Sequence, residues 1–147
     1  MIMNTAEMNQ HIEQFLPFIK RLGVTVLEAA PGTVTLKLPL AGNENHLGII
    51  YAGSLFSLAE LTGGAISLST FDVEKFYPVA KELSIRYWKP ATSDVTVKVT
   101  LAPEELGRMK QEVETTGKTE FIVEPQLTAE TGVVVATTKA TYQIRRF

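Results

Sequence analysis

The chain has 147 residues, with 14 Lys and Arg against 16 Asp and Glu, a formal net charge of −2, and 45% hydrophobic residues. This length suits a single domain over residues 1–147, large enough to bury roughly two thirds of its surface, and the near-balanced charge supplies no basic field for nucleic acid or an anionic membrane. With no cysteine, disulfides, thiolate metal sites and a cysteine nucleophile are excluded.

The opening "MIMNTAEMNQ" lacks the basic flank and apolar run of a signal peptide, so a cytoplasmic location is expected. Met8, Ile12, Phe15, Leu16 and Ile19 recur at helical spacing, which predicts an amphipathic helix from Thr5 to Arg21 that Pro17 kinks or divides. His11, on this helix, is expected at the surface. "VTVLEA" and "TVTLKLPL" flank "APG", and the alternation of Val34, Leu36 and Leu38 with Thr33, Thr35 and Lys37 predicts a half-buried hairpin.

The polar loop "AGNENHLG" leads into a second predicted helix, from Ala52 to Thr70, whose apolar residues occupy nearly all sides. Such a helix is enclosed, not laid on a surface, and its Gly pair, Ser and Thr content and Glu60 argue against a membrane span. Gly63 and Gly64 each weaken it by about 1 kcal/mol relative to Ala, a cost expected where another backbone comes close.

The rest reads as strands. "KELSIRYWKPA" alternates Leu83, Ile85 and Tyr87 with Ser84, Arg86 and Trp88, and "DVTVKVTL" alternates Val95, Val97, Val99 and Leu101 with Thr96, Lys98 and Thr100. After Pro103, "EELGRMKQEVETTGK" is a charged connector, with a short helix as one option. "TEFIVEPQLTAETG" and "VVVATTKATYQIRRF" then predict a hairpin turned at "ETG". Helix, two strands, long helix and four strands imply an α+β fold in which a mostly antiparallel sheet wraps the long helix. One helix does not cover everything, so a dimer is expected.

From Leu47 to Phe71 the only charged side chain is Glu60. An isolated buried carboxylate costs several kcal/mol or takes up a proton, so its presence implies a partner or a use. The surrounding stretch "NHLGIIYAGSLFSLAEL" resembles the signature of hot-dog-fold acyl thioesterases: an Asn, a Gly, a small Gly-containing turn opening the central helix, and an acidic residue two turns inside it. Asn45, Gly48, Ala52, Gly53, Phe56, Leu58, Ala59 and Glu60 fall on that pattern. With "YWKPA" the likeness covers most of the chain, and it is closest to a small bacterial thioesterase-like domain that in some proteins follows an acetyltransferase.

The resemblance implies a hot-dog fold and hydrolysis of an acyl thioester, on coenzyme A or acyl carrier protein, to a free acid and a thiol. It also implies a homodimer or dimer of dimers, with the active site at the subunit interface and the catalytic carboxylate supplied by the partner chain. Glu60 then acts as general base or nucleophile, and Asn45 positions the water or the carboxylate. Two departures stand out: Tyr51 occupies a position where many relatives have His, and Ala52 replaces the first Gly of a pair.

The residue types support this chemistry without the family. Amides that open a helix are unpaired and lie at the positive end of its dipole, so those of Ala52 and Gly53 can hold a thioester oxygen as it becomes an oxyanion; one such donor is worth about 3 kcal/mol of barrier. Glu60 lies about two turns beyond Gly53, roughly 10 Å deeper by the helical rise, too far to serve the amides of its own chain. A two-fold dimer removes the difficulty. The bland alternative for Glu60 is a buried carboxylate satisfied by backbone or a neighbouring chain, and for Asn45 a turn residue.

Two rivals accompany the thioesterase reading. Hot-dog dehydratases acting on 3-hydroxyacyl thioesters pair a loop His with a helix carboxylate, and His46 with Glu60 imitates them, although "HLGIIYAG" lacks their "FPG". The other rival is a non-catalytic acyl-CoA-binding protein. Substrate contacts are expected from His46, Gly48, Tyr51 and Phe56, and coenzyme A phosphates would meet Arg86 and Lys89, with Lys81, Arg145 and Arg146 as further candidates. No Walker loop, dinucleotide fingerprint or zinc pattern occurs, so neither metal nor cofactor is expected beyond the coenzyme A thioester as substrate.

Overall fold

The computed structural model describes residues Met1–Phe147. Pro17 divides the first helix: α1 (Thr5–Phe15) ends before it, and α2 (Pro17–Leu22) starts with the proline in its first turn, where a missing amide leaves nothing unpaired. A capping box opens α1, Asn4 accepting from the Glu7 amide and Glu7 from the Asn4 amide, both at 2.9 Å. Gly23, at φ 78°, closes α2 and turns the chain into β1 (Thr25–Ala30), which pairs with β2 (Thr33–Leu38) as the predicted hairpin.

The long helix α3 (Ala52–Thr70) is followed by β3 (Phe76–Tyr87), β4 (Val95–Thr100), α4 (Pro103–Thr116), β5 (Lys118–Val123), β6 (Gln126–Ala129) and β7 (Val134–Arg146). The strands form one antiparallel sheet in the order β1-β2-β4-β6-β7-β3, with β5 also paired to β7. β3 begins at Phe76 and not at Lys81, because a bulge between Ala80 and Glu82 breaks the two-residue period by which a strand is recognised.

The first arm of the last hairpin is two strands, not one. Pro125 has no amide to donate, so the ladder breaks at Glu124 and Pro125: β6 pairs with the first half of β7 and β5 with the second. The freed Pro125 carbonyl accepts the Thr138 amide at 3.1 Å and its hydroxyl at 2.6 Å. The charged connector is a 14-residue helix, α4, held by the buried Met109 and Val113. Gly117, at φ 78°, ends it, and the Arg146 guanidinium donates to the carbonyls of Val113 and Glu114 in its last turn.

The sheet curls around α3, where Leu58, Ala59 and Ile66 are fully buried. Polar residues survive in this setting because Thr62 and Ser69 return their hydroxyls to the carbonyls of Ala59 (2.7 Å) and Ile66 (3.2 Å). The glycine pair serves two different ends, and neither is approach of another backbone. A Cβ at Gly63 would overlap the Tyr142 ring, whereas one at Gly64 meets nothing within 4 Å. Gly63→Ala is therefore expected to lower stability by about 1–3 kcal/mol through overpacking, read as a lower midpoint in urea, while Gly64→Ala raises it by up to about 1 kcal/mol through helix propensity.

α3 is not enclosed on every side. Phe56, Glu60, Leu61, Gly64 and Leu68 form one helical stripe that the chain leaves exposed or half-covered. The two sheet edges also differ. α1 closes the outer edge of β1: the Asn9 amide donates to the Val26 carbonyl and its oxygen accepts the Val26 amide, both at 2.9 Å, and Thr5 accepts the Ala29 amide at 2.9 Å. The 12-residue β3, at the other edge, has no such cover and is mostly exposed from Ala80 to Tyr87.

Candidate active site

Glu60 sits in the middle of the uncovered stripe and points into a slot of about 260 Å³ between α1 and α3. Met8, Ile12, Leu61 and Leu68 surround it there, so the site is apolar. Burial alone pushes the Glu60 carboxyl above its ordinary range; no cation or hydrogen-bond donor offsets it. The backbone of Glu60 is fixed from beneath. The Tyr142 hydroxyl donates to its carbonyl at 2.7 Å, and the Tyr142 ring fits against α3 because residue 63 is glycine. Burial and the nearby Glu60 charge push the Tyr142 phenol up, so it stays a donor.

A carboxyl whose folded pKa exceeds its unfolded value binds more protons when folded, so stability falls as pH rises from about 4.3 through the raised value. Glu60→Gln removes this penalty. The variant is expected to be more stable than wild type at pH 8, with the difference shrinking toward pH 4 in paired urea titrations. Loss of stability at both pH values would mark Glu60 as a structural residue.

The start of α3 forms a second centre. Tyr51 caps the helix without a side-chain bond, and its carbonyl takes the amides of Ser54 (3.0 Å) and Leu55 (3.3 Å). The amides of Ala52 and Gly53 are left without partners at the positive end of a 19-residue helix. The Tyr51 ring covers the Cα of Gly53, where a Cβ would lie 2.6 Å from it. From β3, the Tyr87 hydroxyl donates to the Ala52 carbonyl at 3.0 Å.

Asn45, Ala52, Leu55, Tyr87, Trp88 and Lys89 line a cavity of about 330 Å³ at this helix start. Asn45 has a turn role as well: its side-chain oxygen accepts the Leu47 amide (2.9 Å) and the Ile49 amide (3.3 Å), and its carbonyl accepts the Gly48 amide at 3.0 Å. Only its side-chain NH2 is free for a ligand. Gly48, at φ 76°, completes that turn. Arg86 lies with its guanidinium 4.3 Å from the centre of the Trp88 ring, whose indole N–H donates to Thr137 at 2.9 Å.

Within one chain the structure brings together Asn45, Ala52 and Lys89 in one cavity; Gly53 follows Ala52 on the helix, Tyr51 lines a separate cavity, and Arg86 lies over the Trp88 ring outside the lining. It does not bring Glu60 to them; the carboxylate lines a different cavity. His46 is exposed and lines neither cavity, and Phe56 lies exposed on the stripe between the two centres. His11 corrects an expectation: it is half-buried and lines the slot with Glu60. Its position was readable, since residue 11 lies beside Met8 and Ile12 on the face of α1 that is buried, whereas Phe15, expected on the same stripe, is exposed.

An antiparallel sheet curled around one long helix, with an acidic residue two turns inside an unpaired helix start, defines a thioesterase-like protein of the hot-dog fold. The chain belongs to the family described as a domain of unknown function, DUF4442, whose model matches residues 5–144. It is similar to a probable thioesterase of unknown function from Pseudomonas aeruginosa, with 42% identity and a TM-score of 0.91 over 100% of this chain and 99% of that one. A provisionally assigned thioesterase from Shewanella oneidensis is similar at 25% identity and TM-score 0.78, over 95% of each chain. A thioesterase from Haemophilus influenzae shares the fold at 14% identity and TM-score 0.78, over 99% of this chain and 93% of that one. No curated protein matches the chain. No helix is long and apolar enough to cross a membrane.

Proposed function

We propose that the protein hydrolyses an acyl thioester, with Glu60 of one subunit as general base and the Ala52 and Gly53 amides of its two-fold partner as oxyanion donors. The observation that carries this reading is the unpaired, half-buried Glu60 carboxylate with its raised pKa. A half-buried carboxylate that its own chain leaves unpaired fits a group kept for chemistry. Relatives described as thioesterases lend the substrate class. A water held by Glu60 and the Asn45 NH2 attacks the acyl carbon, the carbonyl oxygen develops charge against the two amides, and the thiolate leaves with the proton that Glu60 has accepted.

The dimer is part of the same proposal. β3 offers a long unpaired edge, β1 does not, and the apolar stripe of α3 lies exposed beside it. Pairing β3 with its copy extends the sheet and covers Phe56 and Leu61, as an isologous interface requires. A dimer of dimers remains compatible with this pairing.

The test is thiol release from butyryl-, decanoyl- and hexadecanoyl-CoA. Turnover of at least one ester, absent when the protein is omitted, supports the reading. Binding without turnover points to an acyl-CoA carrier, and dehydration of a 3-hydroxyacyl ester to its enoyl product points to the dehydratase.

A further inference from the structure

We infer that the cavity between α2 and the start of α3, lined by Phe18, Arg21, Asn43, Tyr51 and Ser54, is an adenine-nucleotide site. It measures about 320 Å³, at the small end of ligand sites, and is separate from the cavity that holds Asn45 and Ala52. The site itself does not depend on the thioesterase reading. Only one of two sources of the nucleotide, the coenzyme A end of a thioester, rests on it.

The floor carries two polar groups that the chain leaves unused. Asn43 is 5% exposed, and its NH2 donates to the carbonyls of Leu22 (2.8 Å) and Pro39 (2.9 Å). Those two bonds fix the orientation of the amide, so its oxygen is an acceptor that no donor of the chain meets. Ser54 is 6% exposed; its amide goes to the Tyr51 carbonyl and its hydroxyl to no group of the chain. Only the Thr119 hydroxyl is sealed from solvent without a partner, so the Asn43 oxygen and the Ser54 hydroxyl open onto the cavity. Unpaired polar groups on such buried residues fit a floor that a ligand completes.

The rim supplies two rings and a cation. Phe18 on α2 and Tyr51 at the helix start are both more than half exposed, and the Tyr51 ring is set against the Cα of Gly53. Arg21 is exposed and forms no ion pair, whereas its neighbour Lys20 is taken by Glu13 at 2.6 Å. The Glu44 carboxylate, also on the rim, accepts the Gly42 amide at 2.7 Å. Exposed rings stack a planar base. The amino group of adenine donates to the Asn43 oxygen, its adjacent ring nitrogen accepts from the Ser54 hydroxyl, and a phosphate meets Arg21. Hypoxanthine turns a carbonyl toward the Asn43 oxygen instead, which leaves two acceptors facing each other.

Calorimetric titration of the whole protein with AMP, IMP, adenosine, coenzyme A and pantetheine tests this. AMP and coenzyme A are expected to bind, and IMP to bind at least tenfold more weakly than AMP. Phe18→Ala weakens AMP at least about fivefold, the low end of what stacking one base on a ring is worth. Arg21→Ala weakens AMP but not adenosine. Both side chains are exposed, so the urea midpoints should equal that of wild type. No binding of AMP, equal binding of IMP, or unchanged AMP affinity in both variants overturns the inference. Displacement of AMP by coenzyme A but not by pantetheine assigns the site to the nucleotide end of a thioester, and simultaneous binding of AMP and coenzyme A assigns it to a free nucleotide. The titrations need no turnover, so a protein that cleaves no ester yet binds AMP in this way refutes hydrolysis and retains the site.

Discussion

Glu60→Gln is expected to lower kcat for thiol release from an acyl-CoA ester by about 10²–10⁴-fold, the usual contribution of a general acid or base. Gln keeps the size and the hydrogen-bonding reach of Glu but accepts no proton at neutral pH. KM should change little, because the slot keeps its shape, and the oligomer mass should not change at all. In the wild-type protein, the rate should fall as pH drops through the raised pKa of Glu60, since the protonated carboxyl has no base to offer. That limb vanishes in Glu60→Gln. Full turnover in the variant, or its dissociation into single chains, would assign Glu60 to the interface and not to the chemistry.

Ala52→Pro is expected to lower kcat by about 10²–10³-fold, the range measured when one oxyanion donor is lost. The substitution suits this position unusually well. Ala52 is the first residue of α3, where proline is favoured and where no intrahelical bond uses the amide. The preceding Tyr51, at φ −57° and ψ 134°, already has the extended conformation that a following proline demands. The change thus removes one N–H and leaves the helix in place, so an unfolding midpoint equal to that of wild type should accompany the lost rate. Unchanged kcat would remove the Ala52 amide from the mechanism.

α3 was readable to its ends because a long apolar run between a polar loop and a charged turn admits one solution, and Glu60 was conspicuous as its lone charge. The hairpin of β1 and β2 was readable from strict alternation. What escaped depended on contacts distant in sequence. Tyr142, 82 residues from Glu60, fixes its carbonyl and explains Gly63, and no local pattern links those positions. The division of β5 from β6 was signalled by Pro125 but masked by apolar residues on both sides. The helical spacing of α1 predicted an apolar face, but nothing local in the sequence indicated that this face, with His11, borders a cavity against α3. Asn45 is a turn residue in the structure, and its side-chain NH2 is left unused by the turn.

The central claim is that one active site draws Glu60 and the helix-start amides from different subunits, and mixing two inactive variants tests it most directly. Glu60→Gln and Ala52→Pro chains, denatured together, refolded and assayed for thiol release, form hybrid dimers in which one of the two sites has both an intact carboxylate and intact amides. Random pairing makes half the dimers hybrids, so recovery of about a quarter of wild-type activity is expected. Recovery no greater than the sum of the two variants alone would place both groups in the same chain's site and contradict the account.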